Sequence, residues 1–419
     1  MLPHIEIENI TTQLGQAPAE DGVAMLLIRL SYPYEDNAVG SDPFVLYSLQ
    51  EAEENWLITK ESDTAYGCVF HKHVADFFRA CPNGELHIFP IPQAVTNHIQ
   101  LFGTTTYTQP IDNYLSSQNG RIKLVGVSIA HSSESSAEVQ VTGITEELYN
   151  AIPNINSWAN RQFVNNLSPV FVLVEGRRFL EGYAATSMNS AKNLREIVCP
   201  YVSVVVTREQ SSYEAIDNNY ADIGLALGTL ANTPVGWNMG RVASGAISTL
   251  KNVRLSGGAN LYEEISTTWL NQMAEKGYIF LTRHIGANGW YWSDDPTCTE
   301  ATASNAYISL VRVTNKAASI VVKTYTQRLK SSFKVNKTTG RLEVQVINML
   351  QNELQEAIEK EMLRNPDPNV PQALSGVNVR IDASQNVLAT NMIVVNLEIV
   401  PLMVARVIRT RIQMVNPAN

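Results

Sequence analysis

Charged side chains are scarce in this sequence. Asp, Glu, Lys and Arg make up 17% of its 419 residues, below the roughly 25% of a typical soluble protein. The 31 basic and 40 acidic residues give a net charge of −9, which argues against a general nucleic-acid-binding protein. Apolar residues make up 45% of the chain, too many for a disordered protein. The chain is long enough for two or three hydrophobic cores, and a surface rich in uncharged polar residues suits a protein that is covered by neighbours.

Segments that would direct the chain to or through a membrane are also missing. Residues 1–9 contain no Lys or Arg ahead of an apolar run, so we expect no secretion signal. The most apolar stretch, residues 392–408, is interrupted by Glu398, Pro401 and Arg406. It is shorter than the ~20 residues of a membrane-spanning helix, so we expect no insertion into a membrane.

Cysteines are few and scattered, and no C-x-x-C motif occurs. Thiols in a protein without a secretion signal generally stay reduced. We therefore expect Cys68, Cys81, Cys199 and Cys298 to be free and mostly buried.

The pattern of apolar residues predicts an α/β fold in the first part of the chain and an α+β fold overall. Between residues 22 and 260, apolar strands alternate with helices, which is typical of a mainly parallel sheet covered on both faces. Later helices are followed by two alternating strands that predict a hairpin. We predict an N-terminal arm (1–21), an α/β domain (22–260), a C-terminal α+β domain (261–401) and a C-terminal arm (402–419).

Charges of one sign are absent from three segments. Residues 1–21 carry four acids and no base, and residues 402–419 carry three arginines and no acid. Residues 301–342 carry no acid and eight bases. Such segregation indicates binding to partners of opposite charge, or solvated faces balanced by acids elsewhere in the fold. Nucleic acid is the weaker partner, because no zinc-finger spacing or aromatic-basic signature is present. The eight bases are Arg312, Lys316, Lys323, Arg328, Lys330, Lys334, Lys337 and Arg341.

Residues that metal sites use are present without a complete ligand set. His71 and His73 are two residues apart and His87 is nearby, but no close cluster supplies the further ligands of a zinc site. Asp294 and Asp295 precede a proline. Adjacent carboxylates usually point in different directions, so this pair favours a turn.

Motifs for nucleotide binding and covalent catalysis are lacking. Gly224, Gly228 and Gly236 do not have the G-x-G-x-x-G spacing of a dinucleotide-binding loop, and no G-x-S-x-G motif occurs. We therefore predict no catalytic, cofactor-binding or metal site, and a protein that is not an enzyme. An α/β enzyme that uses the carboxyl edge of its sheet is the unrelated alternative.

Seven segments, in order, resemble contractile-tail sheath proteins. The longest, KGYIFLTRHIGANGWYWSDDPTCT at residues 276–299, combines a glycine-aromatic strand, a glycine turn, an aromatic cluster and an acid-rich turn. It is followed by NAYISLVRVTNKA at residues 305–317, which is similar to the Arg-Val-x-x-Lys-Ala helix start of that family. The remaining segments are residues 43–49, 73–78, 86–92, 337–342 and 395–401.

Resemblance to this family implies a structural subunit that forms six-fold rings, stacked helically around an inner tube. It implies an outer α/β domain, an inner C-terminal domain that faces the tube, and arms that add strands to sheets of neighbouring copies. The implied sheath assembles in the bacterial cytoplasm in a stretched, metastable state, as part of a phage tail or a related injection particle. Its contraction drives the tube through a target envelope. The implied partners are other copies of the chain, the tube protein, and baseplate and tail terminator proteins. Another tail or baseplate structural protein is the alternative within this class.

Two sets of candidate residues follow. The alternating N-terminal segment and the basic C-terminal strand suit strand addition between chains; these candidates are Ile5, Glu6, Ile7, Glu8, Arg406, Val407, Arg409 and Arg411. The acid-free segment lies in the implied inner domain, so we expect it to face an acidic band on the tube through individually weak ion pairs. Its candidates are Lys316, Lys323, Arg328 and Lys330.

Overall fold

Two compact units make up the fold. The computed structural model describes residues 20–29, 42–129, 142–181, 187–210, 219–247, 250, 252–364 and 372–412. The first unit comprises Met1–Pro234 and Met239–Ser319, and the second comprises Val235–Asn238 and Ile320–Asn419. No helix in the described ranges is long and apolar enough to cross a membrane.

The first unit is organised around a six-stranded sheet. In chain order, the strands of the protein are β1 (Ala24–Arg29), β2 (Phe44–Leu46), β3 (Leu86–Ile91), β4 (Leu124–Ser128), β5 (Phe171–Glu175), β6 (Val202–Val205), β7 (Thr207–Glu209), β8 (Val253–Leu255), β9 (Leu281–His284), β10 (Ala287–Trp292), β11 (Leu374–Ile381) and β12 (Val395–Pro401). The sheet has the order β2-β3-β1-β4-β5-β6. All neighbours are parallel except β2 and β3. Strands β3, β4 and β5 are buried along their whole length, because helices cover both faces of a parallel sheet. The predicted fold class is confirmed.

Helices connect these strands and continue into the second unit. They are α1 (Leu49–Asn55), α2 (Lys60–Tyr66), α3 (Phe70–Ala80), α4 (His98–Phe102), α5 (Thr105–Ser117), α6 (Glu146–Val164), α7 (Ser187–Ser190), α8 (Ile223–Asn232), α9 (Thr267–Glu275), α10 (Ile308–Thr326), α11 (Val344–Ile358) and α12 (Val387–Thr390). Several of them begin at a polar capping residue. The Ser48 side chain accepts the N–H of Glu51 at the start of α1, and the Thr145 side chain accepts the N–H of Leu148 at the start of α6. Such caps satisfy N–H groups that have no partner inside the helix.

The apolar pattern predicts a helix from Asn315 to Leu329, whereas helix α10 begins seven residues earlier, at Ile308. The reason is Asp295, which precedes the helix by a loop of 12 residues. Its Oδ2 accepts the N–H of Ser309 at 2.8 Å, and its backbone carbonyl accepts the N–H of Ile308 at 2.8 Å. The neighbouring Asp294 accepts the N–H of Asp295. Residues 293–295 have no turn, so the expected turn is not observed, and Asp295 caps a helix instead.

The division between the units lies at residue 320, whereas the sequence placed it at residue 260. Residues 261–319 belong to the first unit, and Leu270, Met273 and Ile308 are part of its buried core. The difference arises because Ile279 forms a parallel bridge with Val205 of β6. This bridge connects a residue beyond position 260 to the edge of the large sheet.

The second unit contains a β-hairpin and a helix packed on it. Strands β11 and β12 are antiparallel, with Val377 opposite Ile399 and Val379 opposite Leu397, which confirms the predicted hairpin. Helix α11 packs against β11. One cluster of buried residues in this unit contains Leu342, Ile347, Leu350, Ile381 and Val387.

Helices α3 and α8 of the first unit approach closely because α8 carries two glycines one turn apart. A Cβ atom at Gly224 would lie 2.1 Å from the carbonyl oxygen of His73. At Gly228 it would lie 2.5 Å from that of Phe77. Both carbonyls belong to the backbone of α3. The glycine run that lacked a nucleotide-binding pattern is therefore a helix-packing feature.

Replacing Gly224 or Gly228 by alanine should destabilise the chain by about 1–3 kcal/mol, the usual effect of overpacking. Alanine has the better helix propensity by about 1 kcal/mol, so a gain in stability would show that the helices do not approach this closely. Urea unfolding followed by circular dichroism measures the change. The control is Asn232→Ala at the exposed end of α8, which should stay within about 0.5 kcal/mol.

Candidate assembly surfaces

The hairpin β11–β12 forms a sheet of two strands within the described part of the chain. Among the described residues no third strand pairs with β11 or β12, and an unpaired strand edge can accept a further strand. The carbonyl of Val379 on β11 already accepts Gln351 Nε2 at 2.8 Å. Side chains of β12 alternate between partly buried and exposed along all seven residues, so the pleat is regular where a partner strand would bind. The hairpin has the geometry of a receptor for an extended segment of another chain.

The segment that follows β12 exposes many apolar side chains. Residues 402–412 have no regular secondary structure, and four large apolar side chains are between 80% and 93% exposed: Met403, Val407, Ile408 and Ile412. The arginine candidates of this segment are exposed as well; they are Arg406, Arg409 and Arg411. A concentration of exposed apolar side chains is typical of binding surfaces, so this segment stays a candidate for contacts between copies.

The N-terminal candidates Ile5, Glu6, Ile7 and Glu8 lie outside the described residues. The first described residue is Glu20. The next residue, Asp21, forms contacts within the first unit.

Asp21 is held by the first two bases of the acid-free segment. Lys316 Nζ lies 2.5 Å from Asp21 Oδ2. Arg312 is buried and donates to the carbonyl oxygens of Thr233 at 2.9 Å and Asp21 at 3.3 Å. Burial lowers the pKa of the Arg312 guanidinium to about 10, against the opposing effect of Asp21 and Asp295. Lys316, a candidate for the tube-facing surface, is therefore engaged within its own unit.

The other three candidates of the acid-free segment lie in the second unit. Arg328 binds both carboxylate oxygens of Glu353 through Nε and Nη2, at 3.0–3.3 Å. The Lys323 side chain is 73% exposed, with Nζ 3.7 Å from a Glu361 oxygen. Lys330 is exposed. Glu353 thus largely compensates the charge of Arg328, whereas Lys323 and Lys330 present positive charge to solvent.

Three residues at the carboxyl edge of the large sheet have the composition of a catalytic triad. Ser128 ends β4, Glu175 ends β5, and His73 lies on α3. Ser128 Oγ donates to Glu175 Oε2 at 2.6 Å and lies 3.4 Å from His73 Nε2. All three are at most 3% exposed. A catalytic triad needs an accessible serine whose proton passes to the histidine, so this buried cluster has the geometry of a structural network.

The remaining candidate ligands have local partners. His71 Nε2 lies 2.8 Å from a Glu53 oxygen, and His87 Nε2 lies 2.8 Å from a Glu85 oxygen. No group of three metal-ligating side chains occurs among the described residues. The four cysteines are free and buried, as predicted, and burial raises the pKa of the Cys81 and Cys199 thiols to about 11.

Sequence profiles of one family match almost the whole chain. The DUF2586 N-terminal domain matches residues 2–296 and the DUF2586 C-terminal domain matches residues 306–419. No curated protein matches the chain in sequence.

Solved structures of contractile particles share the fold. A chain of the anti-feeding prophage baseplate superimposes with a TM-score of 0.59 at 12% identity, over 99% of both chains. A chain of that baseplate in the contracted state gives 0.57 at 11% identity, over 99% of this chain and 98% of the other. A chain of the contracted PVC sheath complex, from an extracellular contractile injection system, gives 0.54 at 10% identity, over 99% and 97%. The resemblance to contractile sheath proteins is confirmed at the level of the fold.

Asp21→Asn removes the carboxylate that Lys316 binds. We expect the free energy of unfolding to fall by about 1.5–3 kcal/mol, the range for hydrogen bonds to charged groups, and the loss to shrink in 1 M salt because salt screens partly exposed charges. Denaturant unfolding at both salt concentrations tests this. Glu263→Gln, which removes an exposed acid of the same unit, is the control; equal behaviour of the two variants would contradict the anchoring role of Asp21.

Proposed function

The chain belongs to the DUF2586 family, and we propose that it is the sheath subunit of a contractile injection particle. The main support is that 99% of the chain shares its fold with a chain of the contracted PVC sheath complex. In the proposed role, copies assemble in the bacterial cytoplasm as six-fold rings that stack around an inner tube. The first unit is the outer domain of the sheath, and the second unit faces the tube.

Copies are connected through the hairpin and the arms. We propose that residues 1–19 and 402–419 add strands to the open sides of β11 and β12 in neighbouring copies. Each backbone hydrogen bond contributes about 0.5–1.5 kcal/mol net, so a strand of several residues holds two copies firmly. Such a connection can persist while the globular units change their contacts.

Contraction then follows from a difference in buried surface. Apolar area removed from water contributes roughly 25 cal/mol per Å², so a contracted sheath that buries more area between globular units is favoured. Assembly on a tube holds the sheath in its extended state until a trigger releases it. This is a rigid-body rearrangement of packed units, and it requires neither an active site nor a cofactor.

We propose that the exposed ammonium group of Lys323 on α10 binds the tube. Exposed ion pairs contribute only about 0–1 kcal/mol each, which suits a contact that must form during assembly and break during contraction. Arg328 contributes less in this proposal because Glu353 already binds both of its donor groups.

The baseplate matches favour a second candidate function. Two of the three structures described above are baseplates, so a subunit restricted to the ring that joins sheath and baseplate is the competing proposal. Negative-stain electron microscopy of the purified chain distinguishes the two, because a sheath subunit forms long tubes whereas a ring protein forms discrete particles of constant height.

Removal of either arm should abolish these tubes. Deleting residues 1–19 keeps Asp21 in place, and deleting residues 402–419 keeps both strands of the hairpin. We expect folded chains with unchanged circular dichroism that no longer assemble, since the backbone connections between copies are lost. Microscopy showing intact tubes from either truncation would refute strand exchange through that arm.

Reversal of one exposed charge should weaken tube attachment. Lys323→Glu is expected to reduce co-sedimentation with the tube protein of the same particle and to leave tube-free assembly unchanged. Lys360→Glu, an equal charge change at another exposed position of the second unit, is the control. Normal decoration of tubes by Lys323→Glu would remove this residue from the proposed contact.

A further inference from the structure

Two cysteines that are far apart in the sequence face each other in the first unit. Cys199 lies shortly before β6, and Cys298 lies in the loop between β10 and α10. They form an antiparallel β-bridge, in which the N–H of Cys199 donates to the carbonyl of Cys298 at 2.6 Å. Directly opposite residues of such a pair carry their side chains on the same face. Both thiols therefore lie on one side of the bridge.

The spacing of an antiparallel pair suits a disulfide. Opposite residues have Cα atoms about 4.5–5.5 Å apart, and disulfides connect Cα atoms about 4.4–6.8 Å apart. Their Cβ atoms are about 4.5–5.5 Å apart, slightly more than the roughly 3.5–4.5 Å of a disulfide, so a small approach of the two segments closes the bond. Burial raises the pKa of the Cys298 thiol, and the charge of Cys199 raises it further. This influence of Cys199 requires the two sulfur atoms to lie near each other.

Hydrogen bonds on both sides of the bridge hold the two segments in register. Before Cys298, the carbonyl of Pro296 accepts the hydroxyl of Ser203 at 2.6 Å. After it, the carbonyl of Thr299 accepts Arg195 Nη1 at 3.2 Å. The opposition of the two thiols is therefore fixed by several contacts of the surrounding fold.

Cys199 is the thiol that an oxidant reaches first. It is 3% exposed, whereas Cys298 is fully buried, and its Sγ donates to the carbonyl of Ile197 at 3.2 Å. The neighbouring Val198 is 71% exposed and has a φ of 50°, a left-handed conformation that is strained for a β-branched residue. Exposed segments open locally more readily than the sheet beneath them, so opening at Val198 admits a small oxidant to Cys199.

We propose that Cys199 and Cys298 form a disulfide when the chain meets a peroxide. The Cys199 thiolate attacks one oxygen of hydrogen peroxide, the O–O bond breaks, and a sulfenic acid forms. The Cys298 thiolate then attacks this sulfur, so that the S–S bond forms and the S–O bond breaks. Each departing hydroxide takes up the proton of one thiol. Two thiols thus lose two electrons and one peroxide becomes two water molecules, whereas in a reducing cytoplasm the pair stays as two thiols.

The disulfide joins the segment before β6 to the loop that carries Asp295, the residue that caps α10. It closes a loop of about 100 residues, and crosslinks across long loops constrain the unfolded chain most strongly. Oxidation therefore braces the first unit. Both thiols belong to one chain, so this crosslink goes beyond the proposed function and does not depend on it.

Peptide mapping of the purified full chain tests the pairing. The chain is treated with hydrogen peroxide, unfolded, blocked with iodoacetamide and digested with trypsin without a reductant. We expect a crosslinked pair of peptides, residues 196–208 and residues 284–312, each of which contains one cysteine. Its mass is lower than the sum of the two peptides by two hydrogen atoms, and it disappears after reduction. On a non-reducing gel the oxidised chain should migrate faster, because the closed loop makes the denatured chain more compact.

Serine variants assign the crosslink. Cys298→Ser should abolish the crosslinked peptides and the faster band, whereas Cys81→Ser, which removes a buried thiol at the end of α3, should keep both. Recovery of Cys199 and Cys298 as free thiols or as separate sulfinic acids would overturn the proposal, and so would a dimer band in place of the faster monomer. Mapping of the unmodified chain decides this even where a serine variant does not fold.

Thermal unfolding tests the bracing. The oxidised chain should unfold at a temperature about 5 °C higher than the reduced chain, because a crosslink over a long loop raises stability. Cys81→Ser should keep this difference. Equal unfolding temperatures of the oxidised and reduced chains would contradict the bracing. These measurements use single folded chains, so failure to form tubes would refute the sheath function and leave the disulfide unaffected.

Discussion

Backbone hydrogen bonding at the hairpin of the second unit is the constraint on which the proposed assembly depends. A two-stranded sheet leaves one side of each strand open, and β11 and β12 are in this situation in the described part of the chain. In the first unit, by contrast, the central strands of the large sheet have neighbours on both sides and helices over both faces. The two units therefore have different roles in the proposed assembly: the first buries its large sheet within itself, and the second pairs with strands of further copies.

The hydrogen bonds and ion pairs of the basic residues reduce the exposed charge further. Three of the eight bases of the acid-free segment, Arg312, Lys316 and Arg328, are bound by acidic side chains or carbonyl groups of their own units, so this segment does not form a uniformly basic face. The positive charge that does reach solvent is concentrated at Lys323 and on the loop after α10. A surface with few exposed charges has a small desolvation penalty when it meets another copy.

Sequence patterns predicted those parts of the fold that depend on local periodicity. The continuous apolar runs of β4, β5 and β6 indicated a parallel sheet, and the alternation around Val379 and Leu397 indicated the hairpin. Features that depend on distant residues were not predictable. Helix α10 starts at Ile308 because Asp295, which lies on the other side of a loop, accepts N–H groups of its first turn. The charge of Arg328 is compensated by Glu353, 25 residues away in the sequence.

A connected but movable assembly requires connections that persist while other contacts are exchanged, and in the proposed sheath the hairpin of the second unit supplies those connections. Strand pairing is directional and accumulates with each residue, so it resists separation while permitting rotation of the bodies it connects. It also selects the register of an added strand, since a shift of one residue turns every side chain of that strand to the opposite face. In the proposed sheath, strand pairing therefore keeps each arm in one register while the weaker contacts between globular surfaces are exchanged during contraction.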